Sequence, residues 1–198
     1  RYNYNYVNKS SYNKERLVLL LGRCGFDQIK ISSGVSGSLK AVAKKTMTAG
    51  ERQIAPNLSL IRKDHISRYS FATELIKPNE KILDFACGIG YGSFLIAESS
   101  ISAEITACDI SMEALDYARK NFKRSNIDYQ QNDCDKPTLP ANYFDTVVSF
   151  ETIEHLKNPK KFICSLFKCL RPGGKIFISC PNQDIEPFDR KKYRFHFK

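Results

Sequence analysis

The segment Ile82-Leu83-Asp84-Phe85-Ala86-Cys87-Gly88-Ile89-Gly90-Tyr91-Gly92 constrains this chain more than any other. It is an apolar run with a carboxylate near its end, followed by three glycines on alternate positions. Such a run reads as a parallel strand buried on both faces. The glycines leave the loop after it bare, so that a ligand can lie against the backbone. Spacing narrows the choice of ligand. The dinucleotide fingerprint G-x-G-x-x-G needs glycine at position 93, where this chain has Ser93, and does not call for an acid four residues before the first glycine. Asp84 with the G-x-G-x-G spacing points to something other than a pyrophosphate.

Further strand signals follow in order. Glu104-Ile105-Thr106-Ala107-Cys108-Asp109 reads as a strand ending in an acid, nineteen residues beyond Gly90. Asp109 either accepts two adjacent ribose hydroxyls or caps the helical pattern that starts at Ser111. Tyr129-Gln130-Gln131-Asn132-Asp133-Cys134 reads as a third strand entering a polar turn, where Asp133 either accepts from an adenine amino group or closes an Asx turn. Phe144 to Phe150 is a fourth strand, followed by Glu151-Thr152-Ile153-Glu154-His155-Leu156. Leu170-Arg171-Pro172-Gly173-Gly174 stops a helix begun near Pro159, and Lys175 to Ser179 forms a fifth strand. Strands alternating with helices predict an α/β, doubly wound parallel sheet with its ligand at the C-terminal strand ends.

Taken together, these motifs resemble those of class I S-adenosylmethionine (SAM) dependent methyltransferases over residues 61 to 182. The resemblance implies a Rossmann-like sheet and SAM as cofactor. It places Asp84, Ala86, Gly88 and Gly90 around the methionine part, with Gly92 completing the loop. Asp109 goes to the ribose, Ile110 and Cys134 flank the adenine, Asp133 meets its amino group, and Phe150 completes the cofactor set. Ahead of the first strand, Arg68 and Tyr69 stand on a predicted helix, where Arg68 either pairs with the methionine carboxylate or lies on a solvated face. His155 is the candidate base for a hydroxyl acceptor, and Glu151 its competitor. Methyl transfer from a sulfonium requires neither a metal nor a protein nucleophile.

The net charge of +10 raises nucleic acid as a partner. Its distribution argues against that. Residues 1–77 hold 14 Lys or Arg against 5 Asp or Glu, whereas residues 78–180 hold 12 against 13. The strand-end region is therefore close to neutral, and the basic run Arg190-Lys191-Lys192-Tyr193-Arg194 reads as a solvated surface. A small-molecule acceptor, O or N, is expected, with a sugar or glycan intermediate first. Gly50-Glu51-Arg52 followed by Pro56 carries that preference, because it resembles the lead-in of methyltransferases of polysaccharide and glycan biosynthesis. An RNA methyltransferase and a non-catalytic SAM-binding scaffold are the alternatives. Seven cysteines without C-x-x-C pairs speak against a disulfide framework or zinc site, and suit a cytoplasmic compartment. No apolar run reaches membrane-spanning length, and Arg1 in place of Met suggests a fragment or processed chain.

The N-terminal region has its own pattern. Leu17, Leu20, Leu21 and Cys24 give an amphipathic helix, followed by strands at Phe26 to Ile31 and Ser38 to Lys44. Helix, strand, turn, strand resembles the C-terminal end of a class I methyltransferase, yet it precedes the core, while few residues follow Cys180. Two readings fit: a permuted arrangement in which the segment 1–46 supplies the missing edge strands, which is the expectation, or the junction of two tandem methyltransferase domains. A linker or lid over 47–60 and a SAM-binding core over 61–198 go with either.

Overall fold

The computed structural model describes residues 13–23, 27–33, 38–44, 54–182 and 184–185. The chain divides into two compact units, Arg1–Pro56 and Asn57–Lys198. In the first, helix α1 (Lys14–Arg23) precedes two antiparallel strands, β1 (Asp27–Ser33) and β2 (Leu39–Lys44). Ser33 pairs with Leu39 and Asp27 with Lys44. The lead-in Gly50-Glu51-Arg52 and the run Arg190 to Arg194 lie outside the described residues.

The second unit runs α2 (Lys63–Thr73), β3 (Lys81–Phe85), α3 (Tyr91–Ser99), β4 (Glu104–Asp109), α4 (Met112–Asn121), β5 (Ile127–Gln131), β6 (Phe144–Phe150), α5 (Pro159–Cys169) and β7 (Leu170–Ser179). Its five strands are parallel and ordered β5-β4-β3-β6-β7. The chain therefore builds outward from β3 in one direction, then returns to its other side through β6. That reversal opens a crevice at the C-terminal ends of β3 and β6, the place where ligands bind in such sheets.

Among the described residues, β1 and β2 form a sheet of their own and the five-stranded sheet ends at β7. No strand pairing among these residues carries the expected supply of edge strands.

Burial follows strand position. Ile82, Leu83, Asp84 and Phe85 of β3 are all buried, whereas β5 buries only Tyr129. Side chains alternate between faces along β3. Leu83 and Phe85 join Val147, Phe162, Leu166 and Cys169 beneath α5. Ile82 joins Tyr69, Ala72, Ile96 and Val148 beneath α2 and α3. Asp84 shares the parity of Ile82, so its carboxylate emerges on the α2 and α3 face. Caps fix two helices: Ser111 Oγ accepts the Ala114 N–H at 3.2 Å, and Asn158 Oδ1 accepts the Lys161 N–H at 3.0 Å ahead of Pro159.

β7 begins earlier than the sequence suggests. Leu170 already pairs with Phe144, and Lys175 then pairs with Thr146, so residues 171–174 bulge opposite Asp145. The Asp145 carboxylate holds this bulge by accepting from Arg171 Nη1 at 3.0 Å and from the Lys81 N–H at 2.8 Å. Gly173, at φ +81°, turns the chain where a side chain would be strained. Among the described residues no helix is long and apolar enough to cross a membrane.

Candidate active site

Asp84 is wholly buried at the end of β3. Ser93 Oγ donates to its Oδ2 at 2.6 Å, and Tyr69 Oη donates to Oδ1 at 3.1 Å. Burial pushes its pKa up to about 6; the Ser93 and Tyr69 hydrogen bonds oppose that rise and the charge of Asp109 adds to it. The acid is thus poised near neutrality, one hydroxyl from α2 and one from α3 holding its orientation.

The glycine loop is tied to the next strand rather than free. Asp109 Oδ2 accepts the Gly88 N–H at 2.9 Å, while its Oδ1 accepts the Ser111 N–H at 2.9 Å. Asp109 therefore closes an Asx turn ahead of α4, whose cap is Ser111, and also clamps the loop. Three residues here sit in the left-handed region: Ala86 at φ +67°, Gly88 at +58° and Gly90 at +81°. Ala86 pays the steric penalty of that region without being glycine, a strain that marks functional loops.

The reason for two of the glycines differs from the sequence expectation. A Cβ on Gly92 would stand 1.9 Å from Tyr69 Cζ, and one on Gly90 would stand 2.6 Å from Tyr129 Oη and 2.7 Å from the Ala118 Cβ. Their missing side chains make room for protein rings and a helix. Tyr129 Oη in turn donates to the Phe122 carbonyl at 2.9 Å.

Across the crevice, Glu151 follows β6 at φ +51°. Its Oε1 accepts from Ser179 Oγ at 2.7 Å, and its Oε2 lies 3.5 Å from Arg68 Nη2. Arg68 also reaches Asp64 Oδ2 at 3.6 Å. It is not a solvated face residue. Its Nη1 is buried and has no hydrogen-bond partner among the described residues. Phe150 packs edge-on against Tyr69, ring centroids 4.9 Å apart.

The remaining sequence candidates are spread along the same strand ends. Ile110 is exposed, and its carbonyl accepts from Gln131 Nε2 at 2.9 Å. Asp133 Oδ1 accepts the Asp135 N–H at 2.9 Å, the Asx turn that was one of its two readings. Cys134 packs on the core cluster under α5, and burial raises its pKa. His155 is half-buried in a short 3-10 helix, Ile153–His155, where its N–H donates to the Thr152 carbonyl at 2.9 Å. Sequence reading missed Ser93, Ser179 and the contact between His65 Nδ1 and Tyr91 Oη at 2.8 Å. Ser93 was available as a signal, standing where the dinucleotide fingerprint has glycine.

The donor set fits a zwitterionic nucleoside cofactor. Asp84 and Glu151 offer negative charge, Arg68 offers a buried donor still lacking an acceptor, and Asp109 ends the neighbouring strand. Residues 83–178 match the family described as methyltransferase domain. These residues form a class I, SAM-dependent methyltransferase domain. The methyltransferase domain is 35% identical over 106 residues to a phosphoethanolamine N-methyltransferase of Triticum aestivum, covering 52% of this chain and 21% of that protein. It is 31% identical over 109 residues to a ubiquinone biosynthesis O-methyltransferase of Coxiella burnetii, covering 54% and 46%. The chain thus spans less than half of either relative. A phosphoethanolamine N-methyltransferase 2 of Haemonchus contortus, solved with phosphomonomethylethanolamine and S-adenosylhomocysteine (SAH), shares the fold at TM-score 0.56 and 21% identity, over 67% of this chain and 33% of that one.

Proposed function

We propose that this chain transfers a methyl group from SAM to an oxygen or nitrogen acceptor on a small molecule, a sugar or glycan intermediate being the first class to test. The observation that carries the reading is the pair of strand-end acids. Asp84 lies buried under two hydroxyl donors, and Asp109 clamps Gly88, at the point where the strand order reverses.

Bound at this place, SAM supplies a methyl on a positively charged sulfur. The protein supplies binding and alignment. Asp84 and Glu151 attract the cofactor's ammonium, and Arg68 Nη1 offers its unused hydrogen bond to the carboxylate. Asp109, whose oxygens accept two backbone N–H groups at the end of β4, is the acid assigned to the ribose hydroxyls. Ile110, Asp133 and Cys134 border the base. His155, or in competition Glu151, takes the acceptor proton if the acceptor is a hydroxyl.

Acceptor class follows from charge and from the relatives. Residues 78–180 are nearly neutral, which suits a small molecule better than a polyanion. The relatives named above methylate, by their names, both nitrogen and oxygen, so they leave the element open. The sugar preference rests on Gly50-Glu51-Arg52 and Pro56. Radiolabelled SAM offered with nucleotide sugars, lipid-linked glycans and RNA tests it: label is expected in a sugar-bearing product. Label in RNA alone would replace this reading with the nucleic-acid one, and SAM binding without any product would favour a scaffold. His155→Ala is expected to slow transfer to a hydroxyl while SAM binding stays intact.

A further inference from the structure

A polar cluster on α2 and α3 has no part in the cofactor roles above. His65 Nδ1 lies 2.8 Å from Tyr91 Oη. Asp64 Oδ2 lies 3.9 Å from the other ring nitrogen, Nε2. The charged and titratable groups that act on this imidazole are Asp64 and Arg68 of α2, Arg62 just ahead of it and Glu151 beyond β6, with the Tyr91 phenol bonded to it from α3. A carboxylate on the Nε2 side favours the tautomer with its proton there. Nδ1 then presents a lone pair, and the Tyr91 hydroxyl donates to it. Burial, the largest influence, pulls the His65 pKa below the ordinary histidine value.

Tyr91 is placed to use that base. It is the first residue of α3, directly after Gly90, and its ring stands edge-on to Tyr69 at 5.6 Å. Tyr69 is the residue that donates to Asp84. Burial first, and then the charge of Asp84, push the Tyr91 pKa well above the ordinary tyrosine range, so the phenol keeps its own proton until it passes it on. Its side chain remains partly open to solvent.

We propose that Tyr91 and His65 form a proton-accepting pair for a hydroxyl acceptor, Tyr91 touching the acceptor oxygen and His65 drawing the proton through Nδ1. The inference rests on the SAM-dependent reading and narrows it to oxygen as the methylated atom. In the step, the acceptor oxygen bonds to the methyl carbon while the carbon–sulfur bond breaks and leaves its electron pair on sulfur. The acceptor's proton passes to the Tyr91 oxygen as Tyr91's own proton passes to His65 Nδ1. The resulting imidazolium stands beside Asp64 and returns the proton to water. An amine acceptor enters as its own free base and does not need the pair. The pair competes with His155 and Glu151 for this role: transfer lost in His155→Ala and undiminished in Tyr91→Phe would leave the proton with His155.

The test uses the full chain with its imidazole nitrogens labelled with nitrogen-15, SAH added, and His65 assigned by His65→Gln. The chain has three histidines, which keeps the spectrum simple. The expected spectrum shows protonated Nε2 and a bare, hydrogen-bonded Nδ1, and Tyr91→Phe removes the hydrogen-bond shift at Nδ1. SAM affinity of Tyr91→Phe is expected to stay within about twofold of the parent by calorimetry. With UDP-glucose and methyl glucoside as hydroxyl probes, any turnover is expected to fall about a hundredfold or more in kcat, with little change in KM and loss of the acid limb of the pH profile. A proton on Nδ1, a tenfold loss of SAM affinity in Tyr91→Phe, or undiminished turnover would each overturn the pair. Failure of the parent chain to bind SAM would instead overturn the methyltransferase reading, while the tautomer would still be read from the unliganded protein.

Discussion

Asp109 holds Gly88: the acid that ends β4 accepts, at 2.9 Å, the backbone N–H of the loop that follows β3. Two adjacent strands thereby share one fixed loop at the mouth of the crevice. Hydrogen bonds to a charged group contribute about 1.5–3 kcal/mol each. Asp109→Ala is expected to weaken SAM binding by about tenfold or more, since about 1.4 kcal/mol corresponds to tenfold. Asp109→Asn keeps one carbonyl oxygen for the loop and should fall between the two. Calorimetry on the three proteins checks the order, and equal affinities would remove Asp109 from the site.

Gly92 is required by packing. The Tyr69 ring that its Cβ would strike is wedged between Tyr91 and Phe150, so it has no easy path away. Gly92→Ala is expected to destabilise the fold by about 1–3 kcal/mol, a fall of about 2–4 °C in Tm per kcal/mol for a chain of this size. It should also weaken SAM binding, because Tyr69 orients Asp84. Gly173→Ala meets nothing within 4 Å and suffers only its positive φ. Its expected signature is a modest Tm loss with SAM affinity unchanged, and a matching affinity loss in both variants would undo the distinction.

Asp84 makes stability and binding respond oppositely to pH. Its folded pKa, raised by burial to about 6, lies above the ordinary aspartate value of about 3.9. The folded state binds more protons in that interval, so this group's stabilising contribution is full below about pH 4 and is lost as pH rises through about 6. Asp84→Asn, free of the buried charge, is expected to melt above the parent at about pH 7.5, with the gap closing toward about pH 4. A cationic ligand favours the ionised acid, so SAM affinity should fall as pH drops below about 6. Level affinity between about pH 7.5 and pH 5 would show that Asp84 does not face the cofactor's positive charge.

Much of this fold was legible because its signals are local. Apolar runs at Ile82 and Val147 marked strands buried by their neighbours, the run at Ile176 marked an edge strand that stays partly exposed, and the glycines marked the loop. What escaped depends on contacts between distant segments. That Gly92 is glycine on account of Tyr69 cannot be read from either neighbourhood, nor can the meeting of His65 with Tyr91 across twenty-six residues. Asp109 had two readings in the sequence, ribose ligand and helix cap. In the structure one oxygen clamps the loop and the other accepts from Ser111, and it is Ser111 that caps α4. The start of β7 was misjudged because Arg171-Pro172-Gly173-Gly174 reads as a helix stop, whereas Asp145 gathers it into a bulge within the strand.

Salt separates the acceptor classes. An RNA substrate that neutralises several phosphates would lose affinity steeply with ionic strength, the logarithmic slope being about −0.7 per phosphate contacted on a single strand. A neutral small acceptor should give a slope near zero. Binding measured from low to moderate salt is expected to be flat for sugar acceptors. A steep slope with tight RNA binding would move the basic N-terminal residues from solvated surface to substrate contact.

The most direct measurement is calorimetric titration of the full chain with SAM, SAH and NAD+ in parallel. Asp84, the clamped Gly88 and the absence of glycine at position 93 all favour a zwitterionic nucleoside over a dinucleotide. The expected result is one-to-one binding of SAM and SAH, lost in Asp84→Ala, with no heat from NAD+. Binding of NAD+ in preference to SAM, or SAM binding that survives Asp84→Ala unchanged, would contradict the assignment of this crevice.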